Sequence, residues 1–198
     1  MSDTNGRANQ RHRTRKDLLA AAGRLLKAGG TPDMDAIAKE AMVSRATAYR
    51  YFPTVESLLV EAPLDGAVPS PEDVFAGDTS TDPVARVEKA ETALHDAVSR
   101  NEQQLRLMLA ASLSRKPDGV PIRQNRRSGL ITAALAPAKG KFTKATYDKL
   151  TAALAMVFGT ESMIVFRDVL GVDDKTARKV KAWAIQALVQ AALDESKR

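Results

Sequence analysis

The sequence predicts an all-α chain: an N-terminal three-helix domain built on a helix-turn-helix, followed by a larger helical domain. Three observations carry this. Apolar residues recur at helical spacing through most of the length. Capping residues and Gly or Pro stops cut that pattern into helix-sized pieces. No stretch alternates apolar and polar residues as a half-buried strand does, and no internal repeat is present.

Taken in order, residues 1–13 are polar, with Gly, Asn and Gln and no periodicity, and read as a disordered basic arm. Thr14, with Asp17 three residues on, reads as a capping-box start. Leu18, Leu19, Ala22, Leu25 and Leu26 follow helical spacing until Gly29 and Gly30 stop the helix. Thr31, Pro32 and Asp33 open a second, short helix with Ile37, Ala38 and Ala41 inward. Met42 and Val43 are a tight connection. Ser44 caps a third helix, Arg45 to about Phe52, which Pro53 ends, and Thr54 caps a fourth. Residues 14–62 are thus one expected domain and 63–82, rich in Pro, Gly, Ser and acids, a linker. The second domain, 83–195, is expected to hold helices near 83–99, 101–114 and 122–136, with RKPDGVP as a loop. A long helix near 143–170 and a last one from Asp173 or Asp174 to about Asp194 complete it.

Composition narrows the classes. At 198 residues the chain can bury a sizeable core, and 44% hydrophobic with 27% charged residues is ordinary for a globular protein. There is no Cys, hence no disulfide framework or thiolate metal site, which fits a cytoplasmic setting. No apolar run approaches about 18 residues, and the N-terminus lacks a secretory pattern. The net charge of +6 is unevenly placed: residues 1–60 hold 10 Lys/Arg against 6 Asp/Glu, the remainder 20 against 18. A basic first third points to a polyanion, most often nucleic acid, or else to a solvated tail.

The third helix, RATAYRYF, has the chemistry of a DNA-reading element. Ala46 and Ala48 let the backbone come close. Arg45 and Thr47 reach toward base edges, Arg matching the two acceptors of guanine. Tyr49, Arg50 and Tyr51 are donors for phosphate oxygens, and Ser44 sits at a helix N-terminus that favours a phosphate. The plainer alternative is a surface covered by amphipathic Tyr and Arg side chains. The preceding helix, the turn spacing and the basic arm favour the first reading.

At these residues the chain resembles the tetracycline-repressor (TetR) family of transcription regulators. The resemblance rests on Ile37-Ala38 with Ala41, Val43-Ser44, Thr47 with Tyr49, Tyr51 and Phe52, then Glu56, Leu58 and Leu59, over about 45 residues. It implies a homodimer bound to a palindromic operator, usually as a repressor that a small molecule releases. It also implies that Arg45, Ala46 and Thr47 read bases, that Ser44, Tyr49, Arg50, Tyr51 and Thr54 anchor phosphates, and that Arg13, Thr14 and Arg15 meet backbone or minor groove. Three residues depart from the family's pattern. Met42 stands where Gly is usual in the turn, Ala48 replaces a common Leu, and Val55 a common Lys.

The resemblance implies an effector-binding and dimerisation role for the second domain. Val180, Trp183, Ala184, Ala187, Leu188 and Ala191 along the last helix, with Val157, are the expected dimer face. Leu94, Val98, Leu107, Met108, Ala111, Leu130 and Met163 are candidate pocket residues, or plain core. Glu161, in apolar sequence surroundings, is expected to pair with one of Arg123, Arg126 and Arg127, either to orient a ligand or as a structural bridge. With His12 and His95 the only histidines and no phosphate-cradling Gly loop, no enzyme, metal or cofactor is expected. Two other functions stay open: a small-molecule-binding or scaffolding helical protein whose helix-turn-helix is degenerate, and a non-specific nucleoid-type binder, which the near-neutral second domain disfavours.

Overall fold

The computed structural model describes residues 3–113 and 125–197, and no strand occurs among them. The expected RKPDGVP loop, the first residues of the helix near 122, and Arg123 lie outside the described residues. The chain forms two compact units. The first runs to Ala67 and takes up the chain again from Gln103; the second holds Val68–Glu102 and the chain from Asn125 onward. The units divide the chain elsewhere than at 62 and 83, with the stretch from Gln103 grouped with the N-terminal helices.

The first unit contains α1 (Asp3–Lys27), α2 (Met34–Glu40), α3 (Arg45–Tyr51), α4 (Val55–Ala67) and most of α7 (Glu102–Leu113). Helix α1 starts at Asp3, where a disordered arm and a Thr14 cap were expected. Thr14 is mid-helix, and its hydroxyl donates to the Gln10 carbonyl at 3.1 Å. The α1 end is a Schellman turn: Gly30 N–H donates to Leu25 O and Gly29 N–H to Leu26 O, with Gly29 at φ 82°. Asp33 caps α2 through a 2.8 Å bond from Ala36 N–H. Ser44 caps α3 by accepting from Thr47 N–H at 3.1 Å, and Thr54 caps α4 by accepting from Ser57 N–H at 3.1 Å. Leu18, Leu19, Ile37, Ala48, Phe52 and Leu58 meet in one core cluster, with Val43 and Val55 packed against it. Val55, at the position of a common Lys, thus spends its side chain on packing. Helix α4 carries Pro63 inside it and continues to Ala67, into the stretch read as linker.

The second unit contains α5 (Pro71–Val74), α6 (Pro83–Arg100), α8 (Arg126–Leu135), α9 (Lys144–Val157), α10 (Thr160–Ile164) and α11 (Asp174–Glu195). A Ser70–Asp73 capping box makes α5 a single ordered turn within the expected linker. Asp82 and Pro83 open α6, and Asn101 ends it by donating to Ala97 O at 2.8 Å. Val87, Ala90, Leu94 and Val98 of α6 are buried, as are Leu130, Ile131 and Leu135 of α8, Leu150 and Leu154 of α9, and Ile185 and Val189 of α11. Buried Arg86 fastens α6 to α8, donating at 3.0 Å to both Ala134 O and Ala133 O.

The single helix expected over 143–170 is broken. Phe158 leaves the helical conformation, and Gly159 has φ 96°, a region that L side chains seldom occupy. A Cβ on Gly159 would stand 3.0 Å from the Arg127 guanidinium. Arg127 donates to the Ala155 carbonyl at 2.9 Å, satisfying one of the orphan acceptors at the end of α9, and to Glu161 at 2.5 Å. After α10 the backbone widens into a π-helical turn over Val165–Val169.

Candidate nucleic-acid interface

The polar edge of the helix-turn-helix is set by the register of α3. Ala48 and Tyr51 face the core, so Arg45, Ala46, Tyr49 and Arg50 face outward and Thr47 is half-buried. Ser44 adds a second hydrogen bond to its cap, its hydroxyl donating to Thr47 Oγ1 at 2.8 Å. Arg45 Nη1 bonds Asp35 of α2 at 2.8 Å, and its guanidinium lies 5.5 Å from the Tyr49 ring centre. Tyr49 and the Asp35 carboxylate raise the Arg45 pKa above its ordinary value, so the side chain is always charged. Arg13 is exposed on α1 and Thr54 at the start of α4.

Three of the expected contact residues are not presented. Arg15 is 5% exposed and forms a two-pronged bond with Glu61 of α4, at 2.6 and 2.7 Å, with its guanidinium 4.4 Å from the Phe52 ring centre. It joins α1 to α4. Thr14 is 9% exposed and bonded to its own helix, and Tyr51, 4% exposed, packs in the core. The physical reason is helical phase: residues two apart point to nearly opposite sides, so exposed Arg13 and Arg15 cannot share a face.

Residues 18–62 match the family model described as bacterial regulatory proteins, tetR family. The chain carries a tetR-family DNA-binding domain. That domain supports a DNA-binding transcriptional regulator. No curated protein and no solved structure matches the chain. The matched span holds α2, α3 and the cap residues between them, with most of α4.

The tetR-family head accounts for the first three helices, and the remaining expected sites distribute differently. Leu107, Met108 and Ala111 lie on α7 in the first unit, where they line a cavity of about 460 Å³ together with Arg15, Phe52 and Val60. Leu94, Val98, Leu130 and Met163 are buried in the second unit. Arg127 and Glu161 pair as expected, but across the α9–α10 break. Of the expected dimer face, Trp183 is 71% and Val180 41% exposed; Ala187 and Ala191 are exposed, and Val157, Ala184 and Leu188 half-buried.

Sequence reasoning missed a buried polar network in the second unit. Lys181 of α11, 2% exposed, donates to Glu91 Oε1 at 2.8 Å and to His95 Nδ1 at 3.0 Å. An ammonium has only donors, so His95 Nδ1 accepts and Nε2 carries the proton that is shared with Asp174 at 2.6 Å. Arg178 bonds Asp174 at 2.8 Å and Asp96 at 2.7 Å. Burial pushes the Glu91 carboxyl up, but the hydrogen bonds and positive charge around it outweigh burial and hold it below its usual range. Arg178 and then His95 lower Asp174 to about 2. The available signals were the four-residue spacing of Glu91 and His95 and a lysine on the stripe Ala177, Lys181, Ile185.

Proposed function

We propose that this regulator is a homodimeric repressor that binds a palindromic operator and leaves it when a small molecule binds. The observation that carries the DNA-reading assignment is the outward face of α3, where Arg45, Ala46 and Tyr49 stand clear of a helix whose other side is core. Arg45 and Thr47 take base edges; Ser44, Tyr49, Arg50 and Thr54 take phosphates, and Arg13 the backbone beside them. Arg15, Thr14 and Tyr51 support this face from within. The exposed apolar residues of the second unit support dimerisation: Trp183, Val180, Val169, Leu170 and Met156 are 71, 41, 73, 58 and 74% exposed. Such a surface marks an interaction site, and a two-fold dimer would set two heads about 34–36 Å apart, one turn of DNA.

Among the described residues no single helix is long and apolar enough to cross a membrane, and no cluster of three or more His, Asp or Glu could hold a metal. A non-enzymatic role in the cytoplasm fits the family. The test is Arg45→Ala in a binding-site selection: preference at one base pair per half-site relaxes by about tenfold while the rest of the logo persists. An unchanged logo removes Arg45 from the base-reading set.

A further inference from the structure

We propose that the cavity in the first unit is a binding site for small amphipathic organic cations, an apolar body carrying one ammonium group. Its walls come from four places: Arg15 of α1, the Phe52–Thr54 turn after α3, Ser57, Val60 and Glu61 of α4, and Met108 and Ala111 of α7. Its volume of about 460 Å³ lies within the range of small-molecule sites. Phe52, Pro53, Val60, Leu107, Met108 and Ala111 make the lining largely apolar, which suits a hydrocarbon or aromatic body.

The polar groups decide the charge of the ligand. Arg15 and Glu61 neutralise each other through two hydrogen bonds of 2.6 and 2.7 Å. Ser57 donates its hydroxyl proton to Thr54 O at 2.7 Å, and Ser112 donates its own to Leu109 O at 2.7 Å, so both hydroxyls present lone pairs. Glu56, exposed in the first turn of α4 on the cavity lining, forms no ion pair with a described residue. Among the described residues, what this lining offers a ligand's charge is the Glu56 carboxylate and acceptor oxygens. An ammonium supplies three donors and the complementary charge, whereas a carboxylate would face Glu56.

The position has a consequence, which rests on the DNA-reading assignment of α3. Phe52, Pro53 and Thr54 end the recognition helix and also line the cavity. A ligand seated there therefore acts on the geometry of α3 directly, without passing through the second unit.

The test uses the full chain with 13C-labelled methionine methyl groups, the Met108 signal being assigned by its loss in Met108→Leu. The probes are 4-phenylbutylamine, 4-phenylbutanol and 4-phenylbutyrate, which share one apolar body and differ in charge. The amine is expected to shift the Met108 signal saturably, about tenfold more tightly than the butyrate, and Glu56→Gln is expected to remove that preference. Ala111→Trp, which fills the cavity, is expected to abolish the shift; Glu56→Gln, at an exposed side chain, keeps the test valid if that variant does not fold. An unmoved Met108 signal, equal binding of amine and butyrate, an undiminished preference in Glu56→Gln, or a shift that follows protein concentration alone and so reports a second copy, each overturns the proposal. DNA binding by the same samples without amine is scored separately. Its absence counts against the regulator reading, while the amine titration alone decides the site.

Discussion

Met42 holds a left-handed backbone at φ 55°, with its side chain 92% exposed. It occupies the same place after α2 that Gly29 occupies after α1: Val43 N–H donates to Ala38 O and Met42 N–H to Lys39 O. The exposed side chain gains no packing to offset the strain, so Met42→Gly is expected to raise stability by about 1 kcal/mol, read from the midpoint of denaturant unfolding. A lowered midpoint would show that the strain is compensated elsewhere. At this scale the sequence was legible where a residue's role is local. Caps at Asp33, Ser44 and Thr54, and the special turn position at Met42, are fixed by hydrogen bonds three to five residues away. It was illegible at Arg15, whose partner Glu61 is 46 residues distant and whose charge looks like that of exposed Arg13. Composition counts charges; only helical phase and a partner decide which of them is buried.

Among elements, α11 shows how two faces of one helix divide their tasks. Ala177, Lys181, Ile185, Val189 and Ala192 are buried within the chain, while Val180, Trp183, Ala187 and Ala191 stay exposed. If the second face pairs two chains, Trp183→Glu should place a charge in that interface and yield monomers by light scattering, with helix content by circular dichroism retained. A dimer that survives unchanged would move the interface elsewhere. The α9–α10 break was hidden in the sequence because Val157, Phe158, Met163 and Val165 continue a helical apolar pattern across it. Gly159 alone hinted at a stop. The decisive partner, Arg127, comes from α8, and its bonds to Ala155 O and Glu161 hold both sides of the break. Helix existence and type were therefore readable, and the continuity of the longest helix was not.

For the molecule as a whole, the buried network of the second unit links stability to pH. Asp174 sits at about 2, below its ordinary 3.8, because Arg178 and His95 favour the ionised form. Glu91, Asp78 and Asp173 are lowered in the same direction. Below their unfolded pKa values the unfolded chain binds more protons than the folded one, so stability is full above that range and falls as pH drops through it. For Asp174 the loss occupies the window from 3.8 down to about 2. Unfolding midpoints measured across acid pH should fall in that window, and Asp174→Asn should flatten the slope there; an identical slope would show that Asp174 contributes nothing.

The central claim is that the tetR-family head reads sequence as part of a two-fold dimer. The most direct measurement is selection of bound fragments from sheared genomic DNA of the source at about 0.15 M salt, where phosphate contacts alone bind weakly and without preference. The expected result is an enriched inverted repeat with half-site centres about 10 base pairs, or a multiple of that, apart. Fragments recovered evenly across the genome would contradict sequence reading by α3, and an enriched single half-site would contradict the dimer.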